Sequence, residues 1–260
     1  MESAEVVQNT FRQPLLWYDH GSPMNALNQT PLTQAWKKMI EDLPVPKGIL
    51  CVSAHWETGA HVAVTTNKVQ KTIHDFSSRW PKELFDTEYP SPGSPELVAR
   101  VAALIPGVEL SGEWGLDHGS WSILNQIYPK ADVPVVELSL NTAFSFQEHA
   151  DLAKKLDVLR DEGYLLIFSG NIVHQEKELG YDIAGKTREF LDAMLAALEK
   201  GDTAAVVAAK SHPGYEAAAS TDEHFVPLLY IAALRRPSDK FHLYNGTTSA
   251  AFSYVCFRYE

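Results

Sequence analysis

The 260-residue chain has almost no cysteine, no basic cluster and no long apolar run, and each deficit removes a class of protein. Its two cysteines, Cys51 and Cys256, lie inside apolar strand-like runs, so they read as small buried hydrophobes rather than a disulfide, and a reducing cytosol is their natural setting. Lys and Arg number 22 against 33 Asp and Glu, a net charge of −11 with no patch of positive sign, which disfavours nucleic-acid and anionic-membrane partners. No stretch approaches the roughly 20 apolar residues that span a bilayer. The opening MESAEVVQNTFRQP lacks the apolar core of a secretory signal. There is no HExxH phrase, no internal repeat, no low-complexity tract and no linker-like segment. What these absences leave is a soluble cytoplasmic protein built as a single domain over 1–260, with 1–13 a loosely ordered N-terminal extension.

What is present is ample apolar content, 45% of residues, enough for one well-buried core. Runs with β-branched or aromatic content predict strands at about Leu15–Tyr18, Ile49–Ser53, His61–Thr65, Val133–Leu138, Tyr164–Phe168 and Ala251–Phe257. Helical patterns fall between them at Leu32–Glu41, Ser94–Ile105, Trp121–Tyr128, Ser145–Arg160, Thr187–Glu199 and Glu223–Leu234, several opened by Ser, Thr or Asp caps. Alternation of this kind implies an α/β fold, a three-layer α/β/α domain around a mostly parallel or mixed sheet, with ligands bound beyond the carboxyl ends of the strands. The segment 67–93 mixes aromatics, Pro and Gly with little periodicity and reads as a long loop able to wall a pocket, with Trp80, Phe85 and Tyr89 as its aromatic surface. The final run alternates well enough to be a closing strand, antiparallel and near an edge.

Against this background the histidines stand out. His20 in DHGSP, His55 in SAHW and His174 in SGNIVH sit at or just past predicted strand ends, and His224 in DEHFVPLLY opens an apolar helix. Neutral imidazoles suit Fe(II) or Zn(II), so their convergence predicts a mononuclear catalytic metal site. Taken singly, each reads as well as a turn, strand or cap residue. Trp56, beside His55, is placed to shield such a site from water, and Asp19, beside His20, to tune its charge.

The phrases HGSP, SAHW, DHGSW, SGNxxH and EHFxPL occur together in this order. On them the chain resembles the class III extradiol ring-cleavage dioxygenases, in the branch that includes bacterial and plant 4,5-DOPA dioxygenases, from about Leu15 to the C-terminus. The resemblance implies that His20, His55 and His224 are the metal ligands. It makes His174 the acid/base, close enough to the metal to serve as a fourth ligand, and His118 a second catalytic residue that helps bind substrate. It implies Fe(II) for activity, with Zn(II) able to occupy the same ligands, and a catechol and O2 as reactants. His61, His149 and His242 read as surface residues, whereas His74 and His212 stand in phrases that also resemble the family and are candidates for the pocket. The chain departs from the family pattern at Gln175, at Ser220-Thr221-Asp222 and in a shortened stretch over 212–221, which alters the expected rim and leaves the ligands intact. Two other readings remain open from the residues: a zinc hydrolase, and a metal-containing binding protein that kept the fold and lost turnover. The chain reads as a monomer or small homo-oligomer acting on a small-molecule catechol.

Overall fold

A computed structural model of the chain describes residues 11–175 and 183–260. The strands are β1 (Leu15–Asp19), β2 (Gly48–Thr58), β3 (Ala63–Thr65), β4 (Glu109–Ser111), β5 (Val135–Asn141), β6 (Tyr164–Gly170), β7 (Phe241–Thr248) and β8 (Ser253–Tyr259). The helices are α1 (Pro31–Lys38), α2 (Lys82–Phe85), α3 (Pro95–Leu104), α4 (His118–Ile127), α5 (Phe146–Lys154), α6 (Val158–Asp161), α7 (Ile183–Lys200), α8 (Thr203–Val207), α9 (Tyr215–Ala218) and α10 (Val226–Leu234).

All eight strands join one sheet in the order β4-β3-β5-β2-β6-β1-β8-β7. The central four, β5, β2, β6 and β1, run parallel, while β8 is antiparallel to β1 and β7 closes the edge as its hairpin partner. The sheet is therefore mixed, as expected. The pleat divides each central strand between two cores. Leu15 and Trp17, Leu50 and Val52, and Leu166 and Phe168 face one side, where α5, α7 and α10 pack. Leu16 and Tyr18, Ile49 and Cys51, and Leu165 and Ile167 face the other, toward α1 and α4. That alternation is the physical content of a three-layer fold. Cys51 and Cys256 are free and buried, as expected.

Two of the strands were not predicted. β4 is a three-residue exposed edge strand, and β7 is only half-buried, so neither carries an apolar run. The helix expected over Ser145–Arg160 is two helices, broken between Lys154 and Val158. Residues 1–10 of the expected N-terminal extension lie outside the described residues, and its end is held. Arg12 pairs with Asp239 at 2.7 Å, and Gln13 N–H donates to Arg160 O at 3.0 Å. Among the described residues no helix is long and apolar enough to cross a membrane.

Candidate metal centre

His20 leaves the end of β1, His174 follows β6, and β2 carries His55 within its extended second half rather than past its end. These three strands are neighbours in the sheet, so their residues arrive together. β2 slips register against β5 between Val52 and Glu57, an irregularity of the kind that re-aims side chains. His224 comes from the turn before α10, which rests on the end of β6: Asn171 N–H donates to His224 O at 2.9 Å. Gly170 permits that approach, since a Cβ there would lie 2.2 Å from His224 O. His118 opens α4, whose cap Asp117 accepts from Ser120 N–H at 3.2 Å. Gly119 closes α4 onto β2, where a Cβ would meet Ser53 Oγ at 2.6 Å and His55 Cδ2 at 3.1 Å.

The ligating atoms of His20, His55 and His224 lie within 4.8 Å of one another. His20 Nε2 and His55 Nε2 are 3.0 Å apart. Two donors bound at about 2.0–2.1 Å to one ion stand roughly 2.9–3.4 Å apart, so this separation fits a shared cation. The far nitrogens are committed. Ser169 Oγ donates to Gly119 O at 2.7 Å and so is free to accept from His20 Nδ1–H at 2.9 Å, which puts the lone pair of His20 on Nε2. His224 Nδ1–H donates to Glu223 Oε1 at 3.0 Å, with the same consequence. Burial tends to raise the Glu223 carboxyl, but hydrogen bonds from His224 and Thr221 outweigh it and hold it below its usual range. Burial and the neighbouring imidazoles push His20 and His55 well below their ordinary values, so both rings are neutral and carry free electron pairs. With two lone pairs facing each other at 3.0 Å, the donor set fits a divalent metal on chemical grounds.

His174 is brought beside this group, not into it. Its ring stacks on His224 with centroids 3.5 Å apart and planes 5° off parallel, and burial followed by His224 pushes it down to about 3. Its backbone is clamped between Ala218, by a 2.7 Å hydrogen bond, and a bridge to Phe252. His118 lies 4.0 Å from His55, centroid to centroid, on the other flank. All five rings line a cavity of about 880 Å³ walled by Phe76, Trp80 and Phe252 and rimmed by Asn245, Thr247 and Tyr254.

Several expectations are corrected. Asp19 does not reach the imidazoles. Its buried carboxyl accepts from Trp17 Nε1–H, Ile172 N–H and Val255 N–H, tying β1 to β8 and to the start of the His174 loop, and burial raises it to about 7. His212 lies away from the cavity, edge-on to Phe190. His74 stands one layer behind the wall, donating to Thr87 O and packing on Phe76 and Phe85. Tyr89 is buried in the core, and Trp56 stacks on Trp114 outside the cavity. His149 is no surface residue but a buried one, 3.2 Å from Tyr230 OH. Ser169, Glu223 and Asp75, which orient the imidazoles, were not foreseen. Nothing in a sequence marks a carboxylate as the partner of a distant ring.

A family model for the catalytic LigB subunit of aromatic ring-opening dioxygenase matches residues 13–254. The chain belongs to this family. It is the class III extradiol dioxygenase group that the five phrases resembled. Among relatives, the chain is 37% identical over 237 residues to the 4,5-DOPA dioxygenase extradiol of Escherichia coli (strain K12), covering 87% of each chain. It is 31% identical over 273 residues to the 4,5-DOPA dioxygenase extradiol of Beta vulgaris, covering 100% of this chain and 99% of that one. The crystal structure of an uncharacterized protein from Escherichia coli K12 superposes with a TM-score of 0.77 at 31% identity, over 95% of this chain and 99% of that chain. As a member of this dioxygenase family the chain is an enzyme; the family is metal-dependent, and His20, His55 and His224 form a possible metal site.

Proposed function

We propose that this enzyme opens the ring of a catechol with O2, cutting beside the two hydroxyl carbons to give a semialdehyde, with Fe(II) held by His20, His55 and His224. The observation that carries the reading is the set of three converging imidazoles on the wall of a cavity that also holds two further histidines. Three neutral ligands preserve the full charge of a divalent ion and leave positions open, unlike a closed structural site. Bound there, iron would supply the one-electron chemistry that lets O2 react with an aromatic diol, which zinc on the same ligands lacks.

The chain's own groups do the rest. His174, neutral and beside His224, is placed to take a hydroxyl proton and later return it. His118, its Nδ1–H bonded to Asp75, keeps Nε2 for the substrate's oxygen. Phe76, Trp80 and Phe252 offer ring faces that hold an aromatic substrate and keep water out. The cavity volume leaves room for a substituted catechol. The test is anaerobic Fe(II) loading followed by oxygen uptake and yellow product with a panel of catechols. His174→Ala should abolish turnover while the metal content stays near one per chain. Oxygen uptake absent across the panel, with ester or amide hydrolysis by the zinc form, would replace this reading with a hydrolase.

A further inference from the structure

Asp75 sits in the long loop between β3 and α3, where regular structure is sparse, yet its position is fixed from several directions. Thr72 forms a parallel bridge with Leu116. Ile73 N–H donates to Leu116 O at 2.8 Å, and Leu116 N–H donates to Lys71 O at 2.9 Å. Trp121 Nε1–H donates to Ile73 O at 2.9 Å. These bonds stitch the loop to the segment leading into α4 and deliver the carboxyl to that helix's first turn.

There both oxygens are engaged. Oδ1 accepts the His118 backbone N–H at 2.9 Å, and Oδ2 accepts His118 Nδ1–H at 2.9 Å. The same Oδ2 lies 3.4 Å from His55 Nδ1. A single carboxylate therefore faces the Nδ1 sides of two imidazoles whose centroids are 4.0 Å apart, and turns both Nε2 atoms away from itself, that of His55 toward His20 Nε2. The side chain is 15% exposed, so little water competes for these bonds.

We propose that Asp75 is a positioning residue that sets two rings at once, holding His118 for the substrate and His55 for the metal, so that the two jobs are geometrically locked together. The roles of the two rings rest on the function proposed above. Asp75, His55 and His118 could alternatively be read as a second metal-binding trio, since their ligating atoms also lie within 4.8 Å of one another. With Oδ1 on a helix N–H and Oδ2 on a ring N–H, the carboxylate acts through the histidines.

The experiment compares Asp75→Asn, His118→Gln and the double variant, with Asp75→Glu as a reach control and a melting curve on each. Loss of an orienting partner behind a functional histidine typically costs about 10–100-fold, so Asp75→Asn should lower kcat/KM by about that factor. Because its effect on the substrate runs through His118, the double variant with saturating metal should turn over within about three-fold of His118→Gln alone. Metal titration against a competing chelator reads the His55 arm without turnover: affinity should fall about 3- to 10-fold with stoichiometry still one, in the wild-type and His118→Gln backgrounds alike. Multiplicative losses in the double variant, an Asp75→Asn enzyme within three-fold of wild type, or a drop in metal stoichiometry would each overturn the proposal. If the wild type cleaves no catechol, the function reading fails, and the chelator titration still decides whether Asp75 orients His55.

Discussion

Ser169 offers the sharpest perturbation of the centre, because its hydroxyl touches no substrate and no ligating nitrogen. Buried on β6, it accepts from His20 Nδ1–H at 2.9 Å and donates to Gly119 O at 2.7 Å. Ser169→Ala keeps the backbone and removes both bonds. The stranded buried donor on His20 costs about 1–3 kcal/mol, which for a chain of this size lowers the melting temperature of the metal-free protein by about 2–4 °C per kcal/mol. Without the hydroxyl, His20 Nε2 is no longer held as the lone-pair nitrogen, and metal affinity should fall about 10–100-fold, equivalent to about 1.4–2.7 kcal/mol.

A neighbouring hydroxyl supplies the control. Ser139 on β5 accepts from Ala63 N–H at 2.7 Å and pairs with Thr58 Oγ1 at 2.9 Å, with no histidine in reach of its hydroxyl. Ser139→Ala should lower stability by a similar amount and leave metal affinity unchanged. Both variants are measured by melting without metal and by chelator competition with Fe(II) or Zn(II). Equal affinity changes in the two variants, or a Ser169→Ala affinity within two-fold of wild type, would refute the tautomer argument.

His149 gives a pH prediction of fixed sign. Burial holds it neutral down to about pH 4, so below 6.5 the unfolded chain takes up a proton that the native ring refuses. Stability should therefore fall as pH drops from 6.5 to 4 and level off below, by up to about 3 kcal/mol. Asp19, raised to about 7, works in the opposite direction over much of the same range, so the measurement is the difference in melting temperature between wild type and His149→Phe across pH 7 to 4. A His149→Phe variant with an unchanged pH slope would refute it. For Gly119→Ala, the added methyl must push Ser53 or His55 aside, costing about 1–3 kcal/mol and weakening metal binding. A variant equal to wild type in melting and chelator titration would show that the approach of α4 to β2 is looser than the distances indicate.

The central strands and most helices were legible because apolar periodicity survives wherever an element is buried. β4 and β7, exposed or half-buried at the sheet's edges, carry no such signal. The five histidines were legible as phrases, and four of them by their place at strand ends or a helix start. His118 needed its phrase, since nothing in the periodicity of α4 distinguishes its first residue. The supporting groups were hidden for a different reason. Asp75 reaches His118 across 43 positions and Ser169 reaches His20 across 149, so each is an ordinary acid or hydroxyl until the sheet order is known.

One part of the site's layout is written in the sequence more plainly than in the histidine phrases. In β1 the α4-facing positions are Leu16 and Tyr18, and the next in that period of two is His20. In β2 they are Ile49 and Cys51, followed by Ser53 and, beyond it, His55, which shares with Ser53 the contact to Gly119. In β6 they are Leu165 and Ile167, followed by Ser169. Each strand thus runs apolar on the α4 face and turns polar on that same face as it reaches its carboxyl end. Aligned by parallel pairing, with Ser53 opposite Ser169 and Tyr18 opposite Ser169 in register, the three polar continuations form one patch beneath the start of α4. A one-residue slip of β1 would send His20 to the opposite face and put Asp19 in its place. The Asp19 carboxyl, bonded to β8 and to the loop after β6, opposes that slip. The residue expected to tune the metal's charge thus serves the centre by fixing the register that delivers His20.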